Sequence, residues 1–297
     1  MTNEEFLQEA LASDKCPKDF EQDYAYFCKY QQMTIDTLRA FADACRKRGV
    51  HFQLAFGSLL GAVRDGGQIP WDYDVDVIVP YAEREQLFAA LNEELDPKFC
   101  YYAPEKDREY RTSFPRIVPR GIPNQMIHVD VFYVTGLPED DAECARYCKE
   151  IRDRFDARMY TTENLADYPY NLKFKLMRKL MKCRYLLRYG PKKARGDCSE
   201  VFSRYDLKTS TRATVISGRA GKKLDPAKWY LESTEYETRE GTFPVTAYYE
   251  DFLKNRFGDW QKYFPIENRI AEVRKHCRKF RWYEPMLNDT ANPRIIR

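Results

Sequence analysis

A chain of 297 residues with 43% hydrophobic content can bury one large domain, or a core with an appended subdomain. Its 49 Lys and Arg nearly balance 46 Asp and Glu, and a net charge of +3 gives no global sign of a nucleic-acid binder, so no nucleic acid is expected as a partner. No apolar run approaches the ~18 residues of a membrane span, the start MTNEEFLQEALASDK lacks a signal-peptide layout, and nine cysteines without a CxxC pair fit a reducing, cytoplasmic setting.

Asp23–Arg48 contains no Gly or Pro, and Tyr24, Phe27, Ile35, Leu38, Phe41, Ala42 and Cys45 recur at helical spacing. Arg46, Lys47 and Arg48 complement the C-terminal end of that helix, and Gly49 suits its C′ position. HFQLAF then reads as a short strand ending at Gly57, and Leu59–Arg64 as one or two helical turns with Ser58 as N-cap. Gly66-Gly67 is a turn, and Ile69-Pro70-Trp71 leads into a strand over Tyr73–Val79. Ala82–Leu95 reads as a helix, Phe99–Tyr102 and Phe114–Val118 as strands, and Met126–Val134 as a strand of β-formers around Asp130. Asp140–Tyr189 is helical in pattern, with Cys144 and Cys148 as small apolar positions on one helix face. Gly190–Ser199 reads as a loop, Thr214–Phe243 as short strands and Val245–Phe257 as a helix stopped by Gly258.

Successive strand residues face opposite sides. Asp72, Asp74 and Asp76 therefore share one face as far as the strand extends back, while Val75, Val77 and Val79 enter the core. Two such carboxylates lie roughly 7 Å apart along the backbone. Like charges this close repel in a half-buried sheet, and a divalent cation removes the penalty. Hard oxygen ligands favour Mg²⁺ or Mn²⁺. The plainer alternative is a solvent-exposed strand face whose carboxylates pair with Lys or Arg. Asp130, alone among apolar residues on a second strand, offers a third carboxylate and favours the ion site. Gly57 and Ser58, between a strand and a short helix, are placed to offer backbone N–H groups to a phosphate, and Arg64 to add a charge-assisted contact.

The run GSLLGAVRDGGQIPWDYDVDV closely resembles the signature of the LicD/fukutin-related family, part of the nucleotidyltransferase superfamily that includes DNA polymerase β. HVDVFYV, with Asp130, resembles the family's later hydrophobic-Asp-hydrophobic strand, and EYETREGTFPVTAYYEDFLKNRFGDWQKYFP more weakly resembles its C-terminal stretch. The resemblance implies an α/β (α+β) fold: a polymerase-β-like core with a small mixed sheet flanked by helices, plus a largely helical addition. It implies a phosphotransferase that takes a phospho-alcohol unit from a CDP-linked donor such as CDP-choline, CDP-ribitol or CDP-glycerol. The acceptor is then a hydroxyl of a surface glycan or its lipid-linked precursor, and CMP leaves.

Carried onto this chain, Asp74 and Asp76 bind metal, with Asp130 as third ligand or base, and Gly57 and Ser58 contact the diphosphate. Arg64 and Asp72 occupy motif positions of less defined role. Trp71 reads as a packing anchor. Tyr73, where many members carry Asp, is expected to point away from Asp72 and Asp74. FPRIVPRG places Arg116 and Arg120 near the donor site, as phosphate binders or as ordinary surface arginines. Nucleotidyl transfer from an NTP, and a non-catalytic glycan- or membrane-binding protein, are the rival readings.

Three regions are expected: an N-terminal helical segment (1–49), the catalytic core (50–138) and a mainly helical C-terminal region packed on it (139–297). Between Asp167 and Asp197 there are ten Lys and Arg and no acid, with Leu172, Leu176, Leu180 and Leu187 near one helical face. Two readings lead, and a third, nucleic acid, is disfavoured because aromatic interleaving is sparse and the charge is local. One is a helix packed on the core with a solvated basic face. The other, over 172–195, is a peripheral contact with an anionic membrane or a polyanionic glycan.

Overall fold

The computed structural model describes residues 1–163 and 171–287. Helices α1 (Asn3–Leu11) and α2 (Phe20–Lys47) open the chain. The apolar spacing read in α2 is its buried side, from Phe20 and Tyr24 through Phe41 and Cys45. A short strand β1 (Gln53–Leu54) and helix α3 (Phe56–Leu60) follow, continued by a wide π-type turn over Gly61–Asp65. The chain then forms β2 (Val75–Pro80), α4 (Arg84–Glu93), β3 (Phe99–Tyr102), β4 (Arg116–Pro119) and β5 (Val129–Leu137). Two long helices, α5 (Asp141–Thr162) and α6 (Leu172–Ala194), precede α7 (Ser199–Phe202), β6 (Arg212–Val215), β7 (Asp225–Pro226) and α8 (Lys228–Leu231). A hairpin of β8 (Ser233–Thr238) and β9 (Gly241–Thr246), then α9 (Tyr249–Phe257) and α10 (Ile266–Tyr283), complete the described chain.

The main sheet is mixed, in the order β1-β2-β5-β4-β3. β2 and β5 run parallel at its centre, and the other pairings are antiparallel. The first residues of β5 pair with β4 and its last four with β6, which continues to β7. Helices flank this sheet, so the fold is α+β, as the sequence implies. Val75, Val77 and Val79 are buried, as their alternation requires, and so are Val129, Val131 and Tyr133 beside them. One continuous core runs from Phe6 to Tyr283, so the N-terminal helices, the sheet and α10 share a single apolar interior.

Several local expectations change. The HFQLAF strand shortens to two residues, because the chain turns into α3 at Phe56. The N-cap of α3 is Ala55 rather than Ser58, which lies inside the helix. The strand of the aspartates starts at Val75, so Asp72, Tyr73 and Asp74 belong to the loop before it. Val245 belongs to β9, and α9 starts only at Tyr249. Helix α6 runs on to Ala194 across a non-helical Gly190, where a loop was expected. Part of the helical pattern over Asp140–Tyr189, residues 164–170, lies outside the described residues.

The Gly66-Gly67 turn is packed tightly. A Cβ on Gly67 would lie 2.3 Å from a Glu240 carboxylate oxygen, and one on Gly61 would lie 2.6 Å from the Gly67 carbonyl. The Glu240 side chain could swing aside, but the backbone contact at Gly61 could not, so glycine is required there for the chain to close on this turn, where the Arg239 N–H donates to the Gly66 carbonyl at 3.0 Å.

Candidate active site

Register across three strands assembles the centre of the site. Parallel pairing sets Asp76 of β2 opposite Asp130 of β5, and antiparallel pairing sets Arg116 of β4 opposite the same Asp130. The three side chains stand in a row on one face of the sheet. Arg116 Nε donates to Asp130 Oδ1 at 2.7 Å and its Nη2 to Oδ2 at 3.4 Å. This two-pronged ion pair accounts for the isolated aspartate in β5. His128 sits beside it, with Nε2 at 3.7 Å from Asp130 Oδ1. Burial, then Arg116 and Lys279, hold the His128 pKa well below its ordinary value, so the ring is neutral.

The loop before β2 is held from several sides. The Asp74 N–H donates to Asp72 Oδ1 at 3.2 Å. The Gln68 amide donates to the carbonyls of Asp72 and Asp74 at 3.1 and 3.0 Å, and Gln31 to those of Asp72 and Ile69 at 2.7 and 3.0 Å. Trp71 is a packing anchor, buried against Phe6 at 5.3 Å between ring centroids. Tyr73 does not face away from the site, as expected. It lines the same cavity as Asp74 and Asp130, because the loop has not yet taken up strand alternation. Its hydroxyl accepts from Lys279 Nζ, which also sits 4.7 Å from the ring centroid.

The carboxylates are electrostatically crowded. Burial and then Asp74 raise the Asp72 pKa to about 7. Burial, then Asp130, Asp74 and Asp72, raise that of Asp76 well above the carboxylate range. Asp74 Oδ1 is buried and accepts no hydrogen bond among the described residues. Asp76 and Asp130 thus face Arg116, and Asp74 and Asp130 face Lys279. A buried anionic oxygen without a donor, beside a carboxylate whose pKa is raised by burial and then by its neighbours, suits a divalent cation, and oxygen-only donors suit Mg²⁺ or Mn²⁺. Among the described residues, no three His, Cys, Asp or Glu side chains are already set to hold a metal ion. Asp130 is turned onto Arg116 instead.

The phosphate-binding expectations are placed unequally. Gly57, the second residue of α3, approaches Asp72, since a Cβ there would lie 3.5 Å from Asp72 Oδ2. Ser58 has another task. Its N–H donates to the Ala55 carbonyl at 2.9 Å, and its buried Oγ accepts from the Asp76 N–H at 2.9 Å, pinning α3 to the aspartate strand. Arg64 is not brought to the carboxylates. It is buried, donates from Nε and Nη2 to Asp65 Oδ2 at 3.0 and 2.8 Å, and lies over Tyr263 at 4.6 Å. Arg120 donates to the Pro97 carbonyl at 2.6 Å, away from the site.

A cavity of about 660 Å³ opens on this arrangement, lined on one side by Asp74 and Asp130. Its other wall is one face of α10, with Lys275 one turn before the adjacent Arg278 and Lys279. Burial lowers the Lys279 pKa to about 8 against the opposing pull of Asp74, so it stays mostly protonated at neutral pH. The residue-by-residue reading missed this helix. Ile266–Tyr283 contains no Gly or Pro, and Ile270, Val273, Cys277 and Phe280 recur at helical spacing, which could have revealed it.

A second cavity, of about 740 Å³, lies on the same sheet face, with Phe56, Phe132 and Phe155 at its floor and Arg219 and Lys222 at its rim. Phe132 stands two residues past Asp130, roughly 7 Å along the strand. Phe56 is the one non-glycine residue with positive φ (45°) among the described residues, a strained backbone beside the Gly57-Ser58 step.

The family model for LicD/FKTN/FKRP, nucleotidyltransferase domain, matches residues 49–169. Those residues are a LicD-family domain. The matched span holds all four site carboxylates and Arg116, while the α10 wall lies beyond it. The LicD-family domain makes the chain a transferase-type protein of the glycan-modifying class. No curated protein matches the chain.

Proposed function

We propose that this LicD-like protein moves a phospho-alcohol group, such as phosphocholine or an alditol phosphate, from a CDP-linked donor to a hydroxyl of a glycan or its lipid-linked precursor. The observation that carries this reading is the cavity with carboxylates on one wall and Lys275, Arg278 and Lys279 on the other. A donor diphosphate would need both, cationic side chains for its oxygens and carboxylates to hold a divalent ion that would offset its charge.

Asp74 and Asp76 would hold Mg²⁺ or Mn²⁺, with Asp130 as third ligand. The bound ion neutralises charge on the transferring phosphoryl group. Lys279 would donate to phosphate oxygens, and so would Arg116 once Asp130 turns from it to the ion, while Ser58 keeps Asp76 in register through its backbone. The acceptor oxygen bonds to the distal phosphorus, and the bond from that phosphorus to the bridging oxygen breaks. CMP leaves with that oxygen. In-line displacement needs the acceptor opposite the leaving group. The phenylalanine-floored cavity, reached past Phe132 on the same sheet face, supplies that approach. The hydroxyl proton goes to Asp130 or to solvent. If Asp130 is a base, Asp130→Asn keeps metal affinity and loses turnover; if it is a ligand, both fall together.

Thermal melting with Mg²⁺ and a panel of CDP-alcohols, CDP-sugars and NTPs tests the reading. A CDP-alcohol at one hundred times its Kd adds about 2.7 kcal/mol of stability. A preference for NTPs would favour nucleotidyl transfer, and no metal-dependent shift with any nucleotide would favour a non-catalytic protein.

A further inference from the structure

The leucines of α6 do not pack on the core. Leu172 is 84% exposed, Leu176 58%, Leu180 64% and Leu187 89%, and Met177 beside them is 43% exposed. At 100° per residue the four leucines and the exposed Cys183 fall within an arc of about 80°. The helix meets α5 with its opposite side, where Tyr185 is buried with Ala157 and stacks on Tyr160 at 5.8 Å. On that side the arginines are neutralised: Arg178 pairs with Glu163 at 3.2 Å and Arg188 with Asp153 at 2.9 Å.

The lysines take the remaining positions. Lys175, Lys179 and Lys182 border the leucine stripe on one edge, and Lys173 and Arg184 on the other. Among the described residues none of these five has an ion-pair partner, although the structure contains many surface ion pairs. A contiguous apolar stripe on a monomer's surface marks an interaction site. Cations along both edges show what it meets: apolar side chains enter an acyl layer while flanking lysines reach its phosphates. A soluble polyanion would use the charges but leave the leucines in water.

We propose that α6 is an in-plane membrane anchor that lays Leu172, Leu176, Leu180 and Leu187 into the surface of an anionic bilayer. No described helix is long and apolar enough to cross a membrane, so the contact is peripheral. The anchor stands without the phosphotransferase reading. Where that reading holds, the placement has a further consequence: the Tyr185 hydroxyl of α6 donates to Asp156 Oδ2 at 3.4 Å, and Asp156 lines the phenylalanine-floored cavity. The proposed acceptor entrance then lies one helix away from the lipid surface, within reach of a lipid-linked acceptor.

Flotation of the full chain with vesicles tests the anchor. Wild type should float with phosphatidylcholine–phosphatidylglycerol vesicles (about 7:3) and far less with phosphatidylcholine alone. The double variant Leu180→Ser, Leu187→Ser should bind at least ~10-fold more weakly. Reversing Lys175, Lys179 and Lys182 to Glu should weaken binding by ~100-fold or more. None of the five residues is buried, so unchanged melting and an unchanged nucleotide-induced shift separate loss of the anchor from failure of the fold or of the active site. Three results would overturn the proposal: no binding to anionic vesicles, binding untouched by the serine pair, or a concentration-dependent dimer abolished by the serine pair while vesicles are ignored. Loss of binding in the lysine variant alone, with heparin competing fully, would show a surface that reads charge only and would equally overturn it.

Discussion

Replacing Asp76 by Asn should stabilise the metal-free protein while abolishing its response to Mg²⁺. Asp76 faces Asp130 across parallel strands ~4.8 Å apart. At an effective dielectric of ~20, two carboxylates at that spacing repel by about 3 kcal/mol. Arg116 screens part of this, because it is already paired with Asp130. Protonation of Asp76 limits the rest, since its pKa is raised well above the carboxylate range by burial and then by Asp130, Asp74 and Asp72. A raised folded-state pKa means the native protein binds more protons than the unfolded chain. Stability from this group is therefore full below the unfolded carboxylate pKa and falls as pH rises through the folded one. Asp76→Asn removes that fall. In EDTA the variant should melt higher than wild type by roughly 2–6 °C, from a net gain of about 1–3 kcal/mol at ~2 °C per kcal/mol. The gap should widen as pH rises from about 4, the unfolded carboxylate pKa. Differential scanning fluorimetry across pH, with EDTA and then with excess Mg²⁺ and nucleotide, measures both effects. A variant that melts no higher than wild type in EDTA at about pH 8 would falsify the crowded-carboxylate argument.

Ser58→Ala should lower stability by about 1–2 kcal/mol, because the half-buried Asp76 N–H loses its acceptor; urea melts read this directly, and an unchanged midpoint would refute the pinning role. Lys279→Met should raise the donor's KM or Kd by at least ~10-fold while leaving the fold intact, as the loss of one charge-assisted phosphate contact predicts; unchanged nucleotide affinity would remove α10 from the donor site. His276 is held to a pKa of about 4, chiefly by burial, so the unfolded chain binds the extra proton as pH falls below 6.5. That costs about 3 kcal/mol of stability by pH 4, and His276→Phe should flatten this part of the profile in equilibrium denaturation at about pH 7 and pH 5.

The parts of the site carried by alternation were legible in the sequence. Val75, Val77 and Val79 against Asp76, and Asp130 amid valines, need only a period of two, whereas Asp74 lies in the loop before the strand, where alternation does not place it. The position of Asp130 opposite Asp76 was not, because parallel register depends on how two distant strands align. Arg64 looked like a phosphate ligand from its spacing, yet Asp65, Trp71 and Tyr263 form a closed pocket for it, and Tyr263 lies far along the chain. Ser58 was read as an N-cap and a phosphate contact, and its Oγ instead accepts from the Asp76 N–H, a bond between distant residues that spacing does not show. In α6 the leucine periodicity announced an amphipathic helix, but it could not say which side the core takes. Phe174, Met181, Tyr185 and Tyr189 lie away from the leucine stripe, and the small tyrosine cluster under them leaves the leucines outside. The basic wall of α10 was invisible to motif reading because it lies outside the family's leading signature and joins the site only through the shared core.

The most direct test of the central claim is a transfer assay with a CDP-alcohol labelled with ³²P on the phosphorus distal to the nucleoside, in Mg²⁺, with a glycan acceptor. Phospho-alcohol transfer predicts label on the acceptor and release of unlabelled CMP, both lost in Asp74→Asn. Label released as free alcohol phosphate, with unlabelled CMP joined to the acceptor, would contradict it and make the protein a nucleotidyltransferase.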